Sequence, residues 1–417
     1  MSKIFDLINE LCPDGVEFME VEEVFIMKNG YTPSKANKDF WENGTIPWYR
    51  MEDIRENGRI LSESIQKITP KAVKGGKLIP KNSIIVATTA TIGEHALAIA
   101  DSFLMNQQFT SFTIRELLKD KLDIEFVFYY FFKICEWCKQ NTNSSSFPSV
   151  DMAKLKKVKF PVPPMEVQRE IVRILDSFTL LTAELTAELT ARKKQYEFYR
   201  DFLLSFDELD KNGGGCELKM LGEICELIRG NGLQKKDFVE SGVPAIHYGQ
   251  IYTYYGTFAS KTKSFVSVDT ARNLKKVNFG DVVITNTSEN LQDVGKAVVY
   301  LGKEQAVTGG HATILKPKNT LLGKFFVYLS QTAYFYNEKV KYAKGTKVID
   351  VSASDMSKIL IPVPSLQTQQ KVVDILDKFD TLVNSITEGL PREIELRRKQ
   401  YEHYRELLLN FKPKMRA

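Results

Sequence analysis

The sequence lacks the signatures of several protein classes. Its 417 residues contain no apolar run of about 18 residues, which argues against a membrane span. The first residues, MSKIFDLINELCPDG, hold neither a long apolar stretch nor a small-residue cleavage site, so we expect no signal peptide. Cysteine is scarce, and an odd count of 5 fits reduced thiols better than a disulfide framework. These features predict a cytoplasmic protein.

The sequence also lacks the motifs of common enzyme families. No GxxxxGK[ST], GxGxxG, HExxH or GxSxG pattern occurs, and such patterns mark nucleotide-driven motors, dinucleotide enzymes, zinc peptidases and serine hydrolases. The 4 histidines are scattered at His95, His247, His311 and His403. We therefore predict that the chain has no catalytic residues and no metal site, and that it serves in recognition or as a scaffold.

Two short patterns admit a chemical interpretation. Cys135-Glu136-Trp137-Cys138 is a CxxC pattern, but it has no second ligand pair, so buried core thiols are favoured over zinc. Asp210 with Glu217 and Lys219 is similar to the Asp…Glu-x-Lys pattern of metal-dependent nucleases. The glycine-rich stretch 211–215 lies between them and is predicted to be a flexible joint, which cannot hold carboxylates rigidly. Coincidence is therefore favoured.

The sequence does contain a long internal repeat. PVPPMEVQREIVRILDSFTLL at 161–181 matches PVPSLQTQQKVVDILDKFDTL at 362–382, and RKKQYEFYRDFLLSF at 192–206 matches RRKQYEHYRELLLNF at 397–411. The offset is 201 in the first match (362 − 161) and 205 in the second (397 − 192), so the second copy carries four extra residues between them. Fainter matches precede both. The chain therefore reads as two copies of one unit, each a divergent globular part followed by a similar helical part.

The helical parts are predicted to be rods. Pro161-Val162-Pro163-Pro164 prevents a helix before the first rod, and from Glu166 onward apolar residues recur at alternating spacings of three and four, which is a heptad seam. The second rod should break at Gly389-Leu390-Pro391. Two matching seams favour a coiled coil between the rods over separate packing on each domain. The predicted seam residues are Leu175, Phe178, Leu185, Leu189, Tyr196, Tyr199, Leu203, Leu376, Phe379, Val383, Tyr401, Tyr404 and Leu408.

The globular parts are predicted to be mixed α/β. Buried strands are expected at 84–87 and 282–284, further strands at 96–100, 110–114, 297–301 and 312–315, and helices at 124–140 and 323–340. The predicted fold class is α+β, with two α/β domains separated by a pair of long antiparallel helices and related by a pseudo-two-fold axis. The predicted divisions are 1–150, 151–212, 213–350 and 351–417.

Basic, amide and aromatic residues occupy loop-like stretches at matching places in both copies. Such side chains read base edges and phosphates, and the net charge of +5 permits a polyanionic partner. The first-domain candidates for DNA contact are Lys28, Asn29, Tyr31, Lys35, Tyr49, Arg50, Lys74, Lys77, Gln107 and Gln108. The second-domain candidates are Arg229, Asn231, Gln234, Lys235, Lys236, His247, Tyr248, Gln250, Asn286, Ser288, Lys344 and Lys347. Any single residue of these fits an ordinary solvated loop, and it is their recurrence that favours DNA reading.

The sequence resembles the specificity (S) subunits of type I restriction–modification enzymes, over essentially the whole chain. The paired PVPP…Q…IVRILDSF and PVPS…Q…VVDILDKF segments and the RKKQYEFYR and RRKQYEHYR segments carry the resemblance. LTAELTAEL at 181–189 is similar to the TAEL-repeat subgroup. The resemblance implies two target recognition domains, each binding one half of a split, asymmetric DNA sequence. It also implies a coiled coil that docks two methyltransferase subunits, through which restriction (motor-nuclease) subunits join.

The same resemblance implies that this chain has no active site and binds no cofactor. S-adenosylmethionine, ATP and Mg are expected in the partner subunits, which methylate adenine in host DNA and defend against foreign DNA. Two other functions remain open from the residues alone. One is a self-contained nucleic-acid methyltransferase or nuclease, which the missing motifs disfavour. The other is a coiled-coil scaffold with no nucleic-acid role.

The duplicated TAEL turn suggests a ruler. Four helical residues add about 6 Å and a net rotation of about 40°, while one base pair adds about 3.4 Å and roughly 34–36°. The rotations nearly match, so a four-residue step keeps two DNA readers facing their grooves. The hypothesis is that the number of TAEL units sets the DNA spacer, and the alternative is a neutral duplication on a solvated face.

Overall fold

The computed structural model describes residues 2–143, 147–213 and 215–414. Its contacts divide the chain into two compact units, Met1–Thr182 with Arg397–Ala417, and Ala183–Leu396. The helix Met165–Leu203 begins in the first unit and ends in the second, whereas the helix Gly389–Leu408 begins in the second and ends in the first. Each unit therefore combines one globular part with rod segments from both copies of the repeat.

A five-stranded sheet forms the centre of the first unit. Its strands lie in the order Phe25–Asn29, Phe109–Ile114, Ser83–Ala87, His95–Ala98 and Ile60–Leu61. Alternate residues of the middle strand face opposite ways, as the pleat requires. Ile84 and Val86 pack with the helix Ile124–Gln140, and Ile85 and Ala87 pack in a second core. A four-stranded sheet covers that second face, in the order Lys67–Ile68, Ile46–Tyr49, Ser102–Met105 and Ile79–Pro80.

The second unit repeats this arrangement. Its central sheet has the order Cys225–Arg229, Ala312–Pro317, Val282–Thr285, Ala297–Tyr300 and Phe258–Ala259. Its covering sheet has the order Phe238–Val239, Ser264–Val266, Val243–Ile246, Ala306–Thr308 and Lys275–Val277. In both units the short edge strand of the central sheet is parallel to its neighbour. The predicted strands and the α/β character are confirmed, and the repeat that is faint in the globular sequences is evident in their topology.

Short elements complete the two units. The two-stranded pairs are Glu17–Glu20 with Lys159–Val162, Thr142–Asn143 with Ser149–Val150, Glu217–Met220 with Leu360–Val363, and Thr287–Ser288 with Ile349–Asp350. The short α-helices are Ser2–Leu11, Val21–Val24, Met51–Asn57, Met152–Lys156, Phe206–Gly213, Leu221–Ile224, Tyr248–Thr253, Val268–Arg272 and Ala353–Met356. The 3-10 turns are Lys38–Phe40, Pro70–Ala72, Lys74–Gly76, Glu116–Leu118 and Lys235–Asp237. Across the described residues, no helix is long and apolar enough to cross a bilayer.

Two of the sequence predictions about helices are wrong. The segment predicted as one helix at 323–340 forms two, Gly323–Leu329 and Ala333–Val340. Thr332 causes the break, because its hydroxyl donates to Leu329 O at 2.7 Å and accepts from Phe335 N at 3.2 Å, which ends one helix and caps the next. The predicted flexible joint spans 211–215, but residues 211–213 form the end of the helix Phe206–Gly213, and Gly214 lies outside the described residues.

The rods form as predicted, and the break expected in the second rod lies at 385–388, directly before the predicted Gly389-Leu390-Pro391. The first starts directly after the prolines at Met165. The second consists of the helices Leu366–Asn384 and Gly389–Leu408. Gly389 has a φ of +78°, and a Cβ there would lie 2.4 Å from Thr381 O, so both the conformation and the space require glycine.

The two rods are antiparallel, and their seam forms the predicted coiled coil. In the first unit, the start of the first rod pairs with the end of the second, where Phe178 stacks on Tyr404 and Leu175 and Leu408 are buried. Tyr401 packs against the same core. In the second unit, the end of the first rod pairs with the start of the second. The seam residues in that core are Leu189, Tyr196, Leu203, Leu376, Phe379 and Val383, and Tyr199 stacks on Phe379.

The glutamine shared by the two PVP segments fastens each rod to its globular part. Gln168 is fully buried and makes three hydrogen bonds of 2.7–2.8 Å, to Asp123 N, Lys121 O and Pro163 O. Gln369 makes the same three bonds at 2.8–2.9 Å, to Leu322 N, Thr320 O and Pro364 O. The Ile-Leu-Asp motif adds a second link, because Tyr129 donates to Asp176 at 2.5 Å and Tyr328 donates to Asp377 at 2.6 Å.

The two ends of the described chain meet in the first unit. Val16 N donates to Lys412 O at 2.8 Å, and Lys414 N donates to Val16 O at 2.8 Å. In the second unit the chain runs continuously through the corresponding place, where Cys216 N donates to Asp210 Oδ1 at 2.9 Å. The corresponding places of the two copies are therefore held by different hydrogen bonds.

Candidate nucleic-acid interface

In the first unit, main-chain hydrogen bonds bring several predicted DNA-contact loops to one edge. Gly30 N donates to Phe109 O and Tyr31 N to Met105 O, both at 2.9 Å, and Asn106 N donates to Tyr49 O at 3.0 Å. A Cβ on Gly30 would lie 2.0 Å from Asn106 O, so only glycine allows this approach. The loops that follow three different strands therefore lie side by side.

Amide side chains are presented along this edge. Asn29 is exposed, and its Oδ1 accepts from Thr110 Oγ1 at 3.0 Å, which in turn lies 2.9 Å from Thr88 Oγ1. Gln107 is exposed and accepts from the hydroxyl of Thr32. Because their oxygens are oriented by these hydroxyls, the amide nitrogens of Asn29 and Gln107 are directed away from them. That arrangement suits hydrogen bonding to base edges.

Several candidate lysines of the first unit are exposed. Lys28, Lys35 and Lys77 are exposed and form no ion pair among the residues that the structure describes. Lys74 lies with its Nζ 5.1 Å above the ring of Tyr31. The Tyr31 hydroxyl donates to Ala72 O at 3.0 Å and accepts from Lys74 N at 2.8 Å. Tyr31 therefore fixes the loop that contains Ala72 and Lys74. The lysines supply positive charge suited to phosphate contact.

Other first-unit candidates are more enclosed. Arg50 is half-buried, with Cζ 5.6 Å above the ring of Trp48 and Nε 3.8 Å from Glu52. Gln108 is half-buried, and its main-chain N donates to Asn106 Oδ1 at 3.1 Å. Tyr49 is a correction. Its ring is fully buried and its hydroxyl donates to Leu61 O at 3.1 Å, so it supports the fold and cannot contact DNA directly.

The second unit builds the corresponding edge from different side chains. Asn286 N donates to His311 O and Val351 N to Asn286 O, each at 2.9 Å. The same pattern joins Thr88 N to Gln108 O and Val150 N to Thr88 O, each at 2.9 Å. Asn286 therefore takes the place of Thr88, and His311 takes that of Gln108. His311 was not among the predicted contacts, and its position directly after the Gly309-Gly310 pair is the signal that could have found it.

An aromatic cluster occupies this second edge. The Tyr248 ring lies 4.5 Å from that of His247 and 4.8 Å from that of His311, which is exposed. His247 Nδ1 accepts from Gly249 N at 3.2 Å. Burial, with smaller effects of Lys235 and His311, lowers the pKa of His247, so its ring is neutral at neutral pH.

Two second-unit candidates are corrected by their burial. Asn286 is fully buried, and its Oδ1 accepts from Thr313 Oγ1 at 2.7 Å. His247 is 7% exposed and caps the helix Tyr248–Thr253. Both residues therefore support the loops of this edge, and neither is exposed enough to contact DNA directly. Composition alone could not separate them from their exposed neighbours.

The remaining second-unit candidates differ in how free they are. Gln234, Lys235, Lys236 and Lys347 are exposed, and Ser288 is half-buried. Three others are engaged: Arg229 Nε donates to Gly310 O at 3.4 Å, Asn231 to Asn273 O at 2.8 Å, and Gln250 to Ser264 at 2.5 Å. Lys344 pairs with Asp355 at 2.8 Å. Hydrogen bonds from Lys344, Ser352 and Lys358 lower the pKa of Asp355 to about 2, so this lysine is neutralised within the chain.

The two chemical patterns seen in the sequence have structural roles. Cys135 and Cys138 are buried core thiols, as predicted, and Cys135 Sγ lies 3.4 Å from Nδ1 of the buried His95. Glu217 pairs with Lys219 at 2.8 Å within a strand. Within the described residues, no group of three or more His, Cys, Asp or Glu side chains could hold a metal ion.

Comparison with known proteins identifies the class to which this architecture belongs. The family model described as type I restriction modification DNA specificity domain matches residues 13–192 and 214–396. The chain therefore belongs to the family of type I restriction–modification specificity subunits, as its sequence indicated.

Individual relatives carry the same description. The chain is 41% identical over 393 residues to the specificity subunit of the Escherichia coli type I restriction enzyme EcoprrI, covering 90% of each. It is 33% identical over 315 residues to a putative type I restriction enzyme specificity subunit of Haemophilus influenzae, covering 70% of this chain and 74% of that one. Among solved structures, a chain from a study of complex assembly and conformational transition of the type I R-M system matches with a TM-score of 0.66 at 18% identity. That match covers 95% of this chain and 98% of the other and shows a shared fold.

Proposed function

We propose that this chain is the DNA-reading subunit of a type I restriction–modification complex and that each unit reads one half of a split target. The observation that carries the proposal is the recurrence of one loop edge in two chemically different forms. The first edge presents amides and lysines, and the second presents Tyr248, His311 and a run of basic residues. Since different side chains read different bases, the two half-sites should differ and the target should be asymmetric.

The proposal assigns the chemistry to partners. Two methyltransferase subunits dock on the rods and bring S-adenosylmethionine, and restriction (motor-nuclease) subunits with ATP and Mg join through them. The methylated adenine is taken out of the helix in the partner's own pocket, so this chain has only to hold the complex in register. The matching fastening of both rods by Gln168 and Gln369 supports a rigid mount for two equivalent partners.

An exchange of recognition domains tests the assignment. Residues 1–150 are replaced by the corresponding segment of another family member, the hybrid is expressed with its methyltransferase partner, and methylated sites are mapped across the genome. We expect one half-site to change while the other half-site and the spacer stay the same. A change in both half-sites would refute one reader per unit, and methyl transfer by the purified chain alone would refute the division of labour.

A further inference from the structure

The second unit contains a cleft of about 670 Å³ that DNA reading does not use. One wall is formed by the two rods, with Glu197 and Asp380, and the opposite wall by the globular part, with Thr257, Ala297 and Gln331. In the first unit the side chain of an arginine occupies the corresponding place.

Thr257 stands where the first copy has Arg59. Leu97 N donates to Arg59 O at 2.8 Å, and Val299 N donates to Thr257 O at 3.2 Å. The next residues pair in the same register, Ile60 with Leu97 and Phe258 with Val299. The main chains are therefore equivalent, and the two copies differ in the side chain at this point.

Arg59 is held in its site by three contacts. Its Nη1 donates to His95 O at 2.8 Å, its Nη2 donates to Glu94 at 2.6 Å, and its Cζ lies 5.4 Å above the ring of Phe132. In the second unit the equivalent of the carbonyl acceptor His95 is Ala297, which lines the cleft. Thr257, which is shorter, replaces Arg59, and Gln331 replaces Phe132. The space that Arg59 occupies in the first unit is therefore open in the second.

Four acidic and three basic side chains line the cleft. Its basic side chains are already engaged: Arg200 pairs with Asp201 at 2.7 Å, Lys339 Nζ donates to the main chain at Gln292 O and Val294 O, and Lys296 Nζ donates to Tyr252 O. The carboxylates of Glu197, Asp293 and Asp380 form no ion pair with any described residue.

Asp380 is the best placed of these carboxylates. It accepts a hydrogen bond from Asn384 at 2.8 Å, and Thr257, the residue at the arginine position, lies near enough to lower its pKa. Burial raises the pKa of Asp380, the charge of Asp377 adds to this effect, and the charge of Lys324 acts against it. In the first unit the acidic partner of Arg59 is Glu94, and Lys296 takes the place of Glu94 in the second unit. The acidic side chain nearest the arginine position in the second unit is therefore Asp380, which lies on the rod.

We propose that the cleft is a receptor for a guanidinium group, which binds Asp380 and the Ala297 carbonyl in the place that Arg59 occupies in the first unit. A planar guanidinium bonds a carboxylate and a carbonyl simultaneously in a way that a compact ammonium does not. The source is either an arginine of a partner protein or a free guanidine compound. DNA reading forms no part of this inference, so its failure would leave the proposed function standing.

Calorimetric titration of the full chain with ethylguanidinium, at constant ionic strength and with ethylammonium as the matched control, tests the inference. We expect ethylguanidinium to bind at least about tenfold more tightly than ethylammonium, and Asp380→Asn to weaken it by about tenfold or more. Thr257→Arg should abolish binding by filling the cleft, whereas Thr257→Val should retain it. Equal binding of the two cations, or unchanged binding by Asp380→Asn, would overturn the proposal even if Thr257→Arg fails to fold.

Titration of the complex assembled with its partner subunits distinguishes the two sources. If ethylguanidinium releases a partner, or if the site is no longer available in the complex, the natural occupant is a partner's arginine. If the assembled complex binds ethylguanidinium as tightly as the free chain does, the occupant is a free guanidine compound.

Discussion

The ring of Phe178 stacks on that of Tyr404, with centroids 5.3 Å apart and planes inclined by 24°. One ring comes from the first rod and the other from the second, so the first unit is complete only when the end of the chain has returned. In the second unit Phe379 and Tyr199 exchange these roles at 5.8 Å and 23°. The repeat therefore pairs each copy's phenylalanine with the other copy's tyrosine.

This pairing predicts a measurable coupling. Tyr404→Ala should lower the free energy of unfolding of the first unit by about 2–4 kcal/mol, because a large ring leaves a packed seam. With Phe178→Ala as the second change, a double-mutant cycle from chemical denaturation should give a coupling of about 0.5–1.5 kcal/mol. Glu402→Ala, at an exposed neighbouring position, is the control. Additive effects of Tyr404→Ala and Phe178→Ala would mean that the stacked contact contributes nothing of its own.

Gln168→Leu should be among the most damaging polar substitutions in the first unit. It leaves one main-chain donor and two carbonyl oxygens without their partner, at a cost of about 2–4 kcal/mol. Gln369→Leu should have a similar effect on the second unit, since it breaks the same three bonds. Gln370→Leu, at an exposed site, should change stability by less than about 0.5 kcal/mol. Thermal melts of the three variants make the comparison, and equal melting temperatures would exclude a fastening role.

The stability of the first unit should fall in acid because of His95. Burial lowers the pKa of His95 to about 3, so below about pH 6.5 the unfolded chain binds a proton that the folded chain does not. Its contribution is complete above that pH and declines by about 1.4 kcal/mol per pH unit towards pH 3. His95→Gln keeps a donor for Phe128 O and removes the titration. The difference in unfolding free energy between the two proteins, measured from pH 7 to 4, should therefore slope downwards, and a flat difference would contradict the assignment.

Substitutions on the first edge should separate two kinds of DNA contact. Lys77→Ala should weaken binding about equally for all sequences and reduce the salt dependence by about one phosphate contact. Gln107→Ala should relax base preference at one position of the first half-site, by about 1–3 kcal/mol. Binding of the assembled methyltransferase complex to a panel of single-base variants, at two salt concentrations, measures both effects. If the two variants behaved alike, Lys77 and Gln107 would not differ as phosphate and base contacts.

A third TAEL unit inserted after Leu189 should widen the spacer between the half-sites by one base pair and leave both half-sites unchanged. The added turn rotates the helix by a net of about 40°, close to the twist of one base-pair step. Methylation-site mapping of the variant reads the spacer directly. Insertion of four alanines is the control, because it tests length without the TAEL side chains. An unchanged spacer would favour a neutral duplication.

The sequence predicted the rods well, but it did not predict which residues of the candidate loops are buried. A heptad seam and a proline boundary are local signals, and the shared glutamines marked a real fastening point. The break at Thr332 was missed because a side-chain cap outweighs a continuous apolar pattern. Tyr49, His247 and Asn286 were misread because burial depends on the neighbouring sheet, and His311 was overlooked because its place is defined only by main-chain pairing with Asn286.

The break in the second rod at Ser385–Glu388 has an evolutionary consequence. An insertion in a continuous helix shifts and rotates everything that follows it. The second rod is already divided into two helices, so its two parts can adjust to a longer first rod at the break. If spacing is set by the unbroken helix, a single slippage event in one short stretch of gene is enough to give the host cell a new methylation pattern, with no matching change needed elsewhere in the protein.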